Sequence, residues 1–432
     1  MRWMRGALNE GVRPREVFAW SLYDFANSGY TTVVLTAVFN AYFVGVVAGN
    51  ASWATLAWTA TLSLSYLIVM VAMPGLGAWA DARAAKKRLL ALSTAGCVAA
   101  TAALAWAGPG GLWIAVPAII VSNVCYSIGE SVVAAFLPEL ARPEALGRVS
   151  GWGWSFGYFG GMLTLGLSLA VVISAQARGQ GAAEFVPLTM LLTAGVFALA
   201  SLPVFALLRE RAQPRPGAAR PQGIGAVLRR LAASLREARA FPDFRMLLLC
   251  GVFYQAGIAV VITLAAVYAE QVMRFSQSQI MMLVFLVNIA AAAGAFAFGF
   301  VQDRIGHRAA LGATLAGWIA MVLIAYATRS AAGFWVAATL AGLCMGSSQS
   351  AGRAMTGALA PSARLAEFFA LWTFATRLAS IVGPLTYGAV TWITAGNHRL
   401  AILVTGVFFL AGLAVLARID MRRGEALGRA TA

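Results

Sequence analysis

Twelve apolar runs, each about 20 residues or longer, constrain this chain more than any other feature, because about 20 apolar residues in helical form span the hydrocarbon of a bilayer. With 432 residues, 60% of them hydrophobic and only 11% charged, there is too little polar surface to clothe a soluble globule. The runs carry Gly and aliphatic residues throughout and lack the alternation of a membrane barrel, so their backbone groups must be satisfied within helices. The expected fold class is an all-α membrane protein of twelve transmembrane helices.

The runs fall at about 17–48, 54–79, 89–107, 112–137, 149–175, 186–208, 244–269, 279–301, 309–328, 333–359, 366–394 and 399–417. Most turns between them are short, which makes successive helices antiparallel neighbours. One long polar segment divides six runs from six, so the expected organisation is a first bundle at 1–208, a linker at 209–243 and a second bundle with a tail at 244–432. The linker opens on a breaker, Gln213-Pro214-Arg215-Pro216-Gly217. It then places Ile224, Leu228, Leu231 and Leu235 at helical spacing among Arg229, Arg230, Arg236 and Arg239. That pattern reads as a basic amphipathic helix lying on an anionic inner leaflet, or as a solvated tether.

The net charge of +16 does not imply nucleic acid, because the basic residues sit in turns between apolar runs and form no soluble face. Lys and Arg gather in the N-terminal segment, the even-numbered connections and the tail. The opposite side holds Arg178, Arg274, Arg329 and Arg399. By the positive-inside rule both termini are cytoplasmic, and Trp53, Trp113, Trp335 and Trp392 at the outer helix ends agree with that orientation. The N-terminal basic segment resembles a signal peptide, but the following run is too long and lacks a cleavage site, so it reads as a retained helix. Cys97, Cys125, Cys250 and Cys344 lie singly inside apolar runs and read as packing residues. No metal or cofactor is expected, since no cluster of His, Cys and carboxylate appears in the sequence.

A short charged turn occurs twice. Gly77-Ala78-Trp79-Ala80-Asp81 and Gly299-Phe300-Val301-Gln302-Asp303 share a Gly-x-x-x-Asp spacing half a chain apart, which marks two related halves. Gly160-Gly161 and Gly383-Pro384 repeat at nearly the same offset. Gly77 and Gly299 permit close helix approach, while Asp81 and Asp303 can accept from unpaired N–H groups at a helix start in the other half. The repeat assigns Asp81 to the start of the eleventh run near Arg364, and Asp303 to the start of the fifth near Arg148. Arg83 and Arg304 complete this conformational latch.

Charged side chains inside a span are costly and mark a pathway or a structural pair. Asp24, Glu130, Arg353 and Arg377 are the four, two acids in the first half and two bases in the second. At 1.5 Å per residue, Asp24 and Glu130 lie on the order of 10 Å inside the cytoplasmic boundary, with Arg377 nearer the midplane. Applying the repeat offset to Glu130 lands beside Arg353, so these two are expected to face each other across the seam as a gate. Arg377 suits an anionic group of a substrate or a pairing with Asp24. Asp24, which shares a helical face with Asn27 and Ser28, is the candidate proton-coupling carboxyl. Tyr30, Asn123, Tyr254, Gln255 and Gln349 are the uncharged candidates for the cavity.

These residues carry a resemblance. Twelve spans in two halves with the repeated loop resemble the major facilitator superfamily of secondary transporters, which implies two pseudo-symmetric six-helix bundles. Trp20-Ser21-Leu22-Tyr23-Asp24-Phe25-Ala26-Asn27-Ser28, Ala135-Phe136-Leu137-Pro138-Glu139-Leu140 running into Gly147-Arg148-Val149-Ser150-Gly151, and Ala366-Glu367-Phe368-Phe369 leading to Gly383-Pro384 are similar to its vacuole-effluxer-like, autophagy-related branch. That branch is associated in fungi with amino-acid export. Ala82 and Ala84 replace the basic residue and Gly of the superfamily loop, which implies a firmer latch at Asp303. Gln255 stands where the branch often carries an acid. The expected function is a monomeric, proton-coupled secondary transporter of a small zwitterion or anion in a bacterial inner membrane, not an enzyme. Efflux of amphipathic compounds and a transport-dead sensor are the alternatives.

Overall fold

The computed structural model describes residues 6–213, 224–275 and 277–430. Among the described residues, twelve helices are long and apolar enough to cross a membrane. They are α1 (Pro14–Val47), α2 (Ala54–Ala82), α3 (Lys86–Ala103), α4 (Leu112–Ala134), α5 (Leu146–Gln176) and α6 (Ala182–Leu207). The second six are α7 (Pro242–Gln271), α8 (Gln277–Ile305), α9 (His307–Ala327), α10 (Ala331–Leu359), α11 (Leu365–Ile393) and α12 (His398–Leu416). A linker helix (Ile224–Glu237) and a tail helix (Met421–Ala430) complete the chain. The expected breaker at 214–217 and the side chains of Ile224, Leu228, Arg230 and Leu231 lie outside the described residues.

The first span is not one regular helix. It is α-helical from Pro14 to Tyr30 and then π-helical over Thr31–Ala37 and Phe43–Val47. The change begins at the β-branched run Thr31-Thr32-Val33-Val34, where crowded side chains disfavour tight α turns.

The two halves meet along α5 with α8 and α2 with α11, and along α5 with α10 and α4 with α11. Each pairing is the pseudo-symmetric counterpart of another. Glycine makes the closest approach possible. A Cβ on Gly77 would stand 2.5 Å from the carbonyl oxygen of Ala366, and one on Gly299 would stand 2.8 Å from that of Gly147.

One end of this seam is closed. Asp81 accepts from the backbone N–H groups of Ala366 (3.0 Å) and Glu367 (2.9 Å) at the start of α11. Asp303 accepts from Gly147 (2.9 Å) and Arg148 (3.2 Å) at the start of α5, and from the Arg148 guanidinium at 2.7 Å. Two helix starts thus receive a carboxylate where their unpaired N–H groups favour an anion. Burial follows the same polarity. A stripe of exposed residues along α2 from Thr55 ends at Ile68, and from Cys344 to Ala360 every residue of α10 and its exit is buried except half-buried Gln349 and Ala358.

The described segment before α1 and the tail helix both lie at this closed end. Asn9 and Arg142 exchange backbone bonds with Leu140 and Ala7 at 3.0 Å each, which pins the N-terminal segment beneath the α4–α5 connection. Arg211, just after α6, holds Glu16 at 2.9 Å, and Arg423 of the tail helix holds Asp243 with two bonds of 2.8 Å. The linker helix packs on α2 and α11 at the same end.

Because Asp303 holds a guanidinium besides its two amides, Asp303→Asn is expected to cost this closure about 1 kcal/mol more than Asp81→Asn, the worth of an ion pair whose arginine is partly exposed. Hydrogen exchange at the amides of Gly147 and Arg148, compared with those of Ala366 and Glu367, measures the difference.

Candidate functional site

Besides Arg148–Asp303 at the closed end, two acid–base pairs inside the spans cross the seam between the halves among the described residues, and they are not the pair expected from the repeat. Arg353 on α10 reaches Asp24 on α1, Nη1 to Oδ2 at 2.6 Å. Arg377 on α11 reaches Glu130 on α4, Nη2 to Oε2 at 2.5 Å. The expected facing of Glu130 with Arg353 is therefore corrected, as is the pairing of Arg377 with Asp24. The reason lies in which helices abut. Pseudo-symmetric positions on α4 and α10 are related by the axis but do not touch; α4 packs against α11, and α10 packs against α5, beyond which lies α1.

The two pairs differ in environment. Arg353 and Asp24 are buried, at 5% and 8% exposure. The Arg353 guanidinium also donates to Ser150, to Oγ at 3.1 Å and to the carbonyl at 2.7 Å. It lies over the rings of Trp20 (4.6 Å) and Trp154 (5.3 Å), and Trp20 is itself fixed by an indole bond to the Val133 carbonyl at 2.8 Å. Gly153 is the gap through which the contact passes, since any side chain there would collide with Asp24, Arg353 and Trp20. Hydrogen bonds, aromatic faces and a counterion together offset the desolvation of both charges.

Arg377 sits between the faces of Tyr66 (5.4 Å) and Tyr126 (5.7 Å), and its Nε is buried without an acceptor among the described residues. The Glu130 side chain is 34% exposed, against 10% for Asp24, so this second pair opens to its surroundings. Tyr126 stacks on Tyr30 at 5.2 Å, and Tyr30 shares a hydroxyl bond of 2.8 Å with Ser122. Asn123 donates to Ser65 at 2.5 Å, which joins α4 to α2. Asn27, one turn beyond Asp24, is buried with neither amide atom bonded among the described residues. An unsatisfied amide at such a depth marks a place where water or a ligand group completes the bonding.

The other predicted residues lie elsewhere. Gln255 on α7 and Gln349 on α10 exchange amide bonds at 2.9 and 3.3 Å within the second half. Tyr254 is wholly buried against Trp372. Arg364 does not reach Asp81; it binds Glu367 at 2.9 Å and pairs with Glu237 of the linker helix. Arg83 and Arg304 are exposed at the ends of α2 and α8.

Counting charges inside spans overlooked those at span ends. Lys86, Glu16 and Glu367 are at most 2% exposed. Lys86 pairs with Glu139 and lies 4.8 Å over the Phe136 ring, while Glu210 caps the start of α3 through the amides of Lys86 (2.7 Å) and Lys87 (3.1 Å). The signal available in sequence was position: acids in the first helical turn, where they meet free N–H groups. Tyr66, Tyr126 and Trp154 carried no distinguishing pattern, and Ser150 stood out only as part of the stretch 147–151.

Known proteins resemble this chain in sequence and in fold. Residues 40–427 match the family described as vacuole effluxer Atg22 like. The uncharacterized MFS-type transporter YxiO of Bacillus subtilis is 26% identical over 92% of this chain and 93% of its own length. Autophagy-related protein 22 of Cryptococcus neoformans is 28% identical over 44% of this chain, a match that spans only 38% of the fungal protein. In architecture the chain is similar to the human organic anion transporter MFSD10, with a TM-score of 0.75 over 94% of this chain and 100% of that one, at 16% identity. The chain is an integral membrane transporter of the major facilitator type, and it belongs to the vacuole effluxer Atg22-like family.

Proposed function

We propose that this protein carries a small zwitterion, with an amino acid as the leading class, across a bacterial inner membrane by proton-coupled alternating access, acting as a monomer with both termini in the cytoplasm. One observation carries the reading: two ion pairs, of unequal burial, each join an acid of the first half to a base of the second. Rocking the halves apart must separate both. A zwitterion can replace the Glu130–Arg377 contact without leaving either charge bare, its ammonium on Glu130 and its carboxylate on Arg377. The free Nε of Arg377 and the exposed edge of Glu130 suit that exchange, and Tyr66 and Tyr126 supply walls for the substrate's apolar part.

Asp24 is the coupling carboxyl in this scheme. While ionised it holds Arg353; protonation removes half of the pair, and Arg353 keeps the Ser150 carbonyl and the two indoles. The proton thereby lowers the cost of opening the closed end. The family's description as an effluxer supports export. Efflux of amphipathic compounds is the second reading, favoured by the aromatic faces around Arg377.

Counterflow in proteoliposomes tests the function. Arg377→Gln is expected to abolish exchange of a radiolabelled amino acid, while Asp24→Asn preserves exchange and loses accumulation driven by a pH gradient. Wild-type protein that exchanges no amino acid, yet exchanges an amphipathic compound, would favour the second reading.

Thermal unfolding tests the inequality of the pairs. Breaking the buried pair by Asp24→Asn should cost about 3 kcal/mol, as expected when a desolvated partner is left behind. Glu130→Gln, at a partly exposed carboxylate, should cost about 1 kcal/mol.

A further inference from the structure

The two latches are built from the same acid and the same helix-start geometry, but they differ in one residue. Where α5 presents Arg148, whose guanidinium clasps Asp303, the equivalent position of α11 presents Glu367, whose amide donates to Asp81 and whose side chain is an acid. An acid cannot clasp an acid. The Glu367 carboxylate turns away to the linker helix, accepting from the hydroxyl of buried Ser234 at 2.5 Å and from Arg364, which pairs in turn with Glu237. The linker helix is thereby tied to both halves, packing on α2 and bonded to the start of α11.

Its outward face has a definite chemistry. Ser234, and Ala238 in the 3₁₀ turn Ala238–Ala240 that continues the helix, are buried, whereas Arg229, Arg236 and, in that turn, Arg239 are exposed on the opposite side, with Leu235 40% exposed beside them. None of the three arginines forms an ion pair among the described residues. The helix lies at the ends of α2 and α11, the level at which spans leave hydrocarbon for headgroups, and a basic stripe with an apolar neighbour at that level complements an anionic lipid surface.

We propose that the linker helix is a lipid-reading clamp: anionic headgroups bind Arg229, Arg236 and Arg239, and the docked helix, through Ser234 and Glu237, holds the Glu367–Arg364 group in place and keeps the Asp81 latch shut. An anionic membrane then favours the state closed at the end that bears the termini. The inference deepens the transport reading by adding a control on its closed end.

The test compares nanodiscs of phosphatidylcholine with discs that contain about one-third phosphatidylglycerol, following hydrogen exchange at the start of α11, residues 365–371. In wild type the anionic lipid is expected to slow exchange at Ala366 and Glu367 by about fivefold or more, because each arginine near the surface contributes to binding. Arg229→Gln, Arg236→Gln and Arg239→Gln together should remove the lipid dependence. Ser234→Ala, which changes one small buried side chain, should leave exchange of the linker helix itself lipid-sensitive and uncouple it from α11. Equal rates in the two membranes for wild type, full slowing in the triple variant, or the same slowing produced by inorganic phosphate in phosphatidylcholine discs would each overturn the proposal. Both leaflets of a disc carry the same lipid and no substrate is added, so the result is independent of membrane orientation and of any failure in counterflow.

Discussion

A charge buried among apolar helices must be matched within reach of its own side chain, and the rest of this structure depends on that requirement. Asp24, Glu130, Arg353 and Arg377 could each have been matched inside one half. Instead every pair is shared between halves, so the lowest-energy arrangement of the charges is also a closed seam. The same interactions that allow these residues to lie in the protein interior therefore hold one conformation of the transporter. Separating the halves would leave four charges without these partners, and a charge in such surroundings is costly unless it is matched again.

The seam is graded along its length. At one end carboxylates sit on helix starts, and glycines bring backbones within van der Waals contact. Deeper in, the Asp24–Arg353 pair is enclosed by Trp20, Trp154 and Ser150, while Glu130–Arg377 borders exposed space. This gradient places chemically similar pairs in different surroundings, one enclosed and the other a third exposed at its carboxylate. The two latches also differ: Arg148 clasps Asp303, whereas the corresponding Glu367 turns its carboxylate to Ser234 of the linker helix.

What could be read from the chain alone was local. Long apolar runs determine that the fold is helical and how many times it crosses a membrane, because unsatisfied backbone in hydrocarbon excludes the alternatives. The repeated Gly-x-x-x-Asp loop determines that the halves are related and that Asp81 and Asp303 stand near helix starts of the opposite half. The four charges inside spans are equally legible, since each is an exception to an apolar background. Tertiary structure decided the partners. Sequence symmetry relates Glu130 to Arg353, but contact depends on which helices abut, and α4 lies against α11 while α10 lies against α5. It also decided that Glu367 faces the linker helix and that Tyr66 and Tyr126 enclose Arg377. These are distances between residues far apart in the chain, set by packing across the seam, and no periodicity within a single run encodes them.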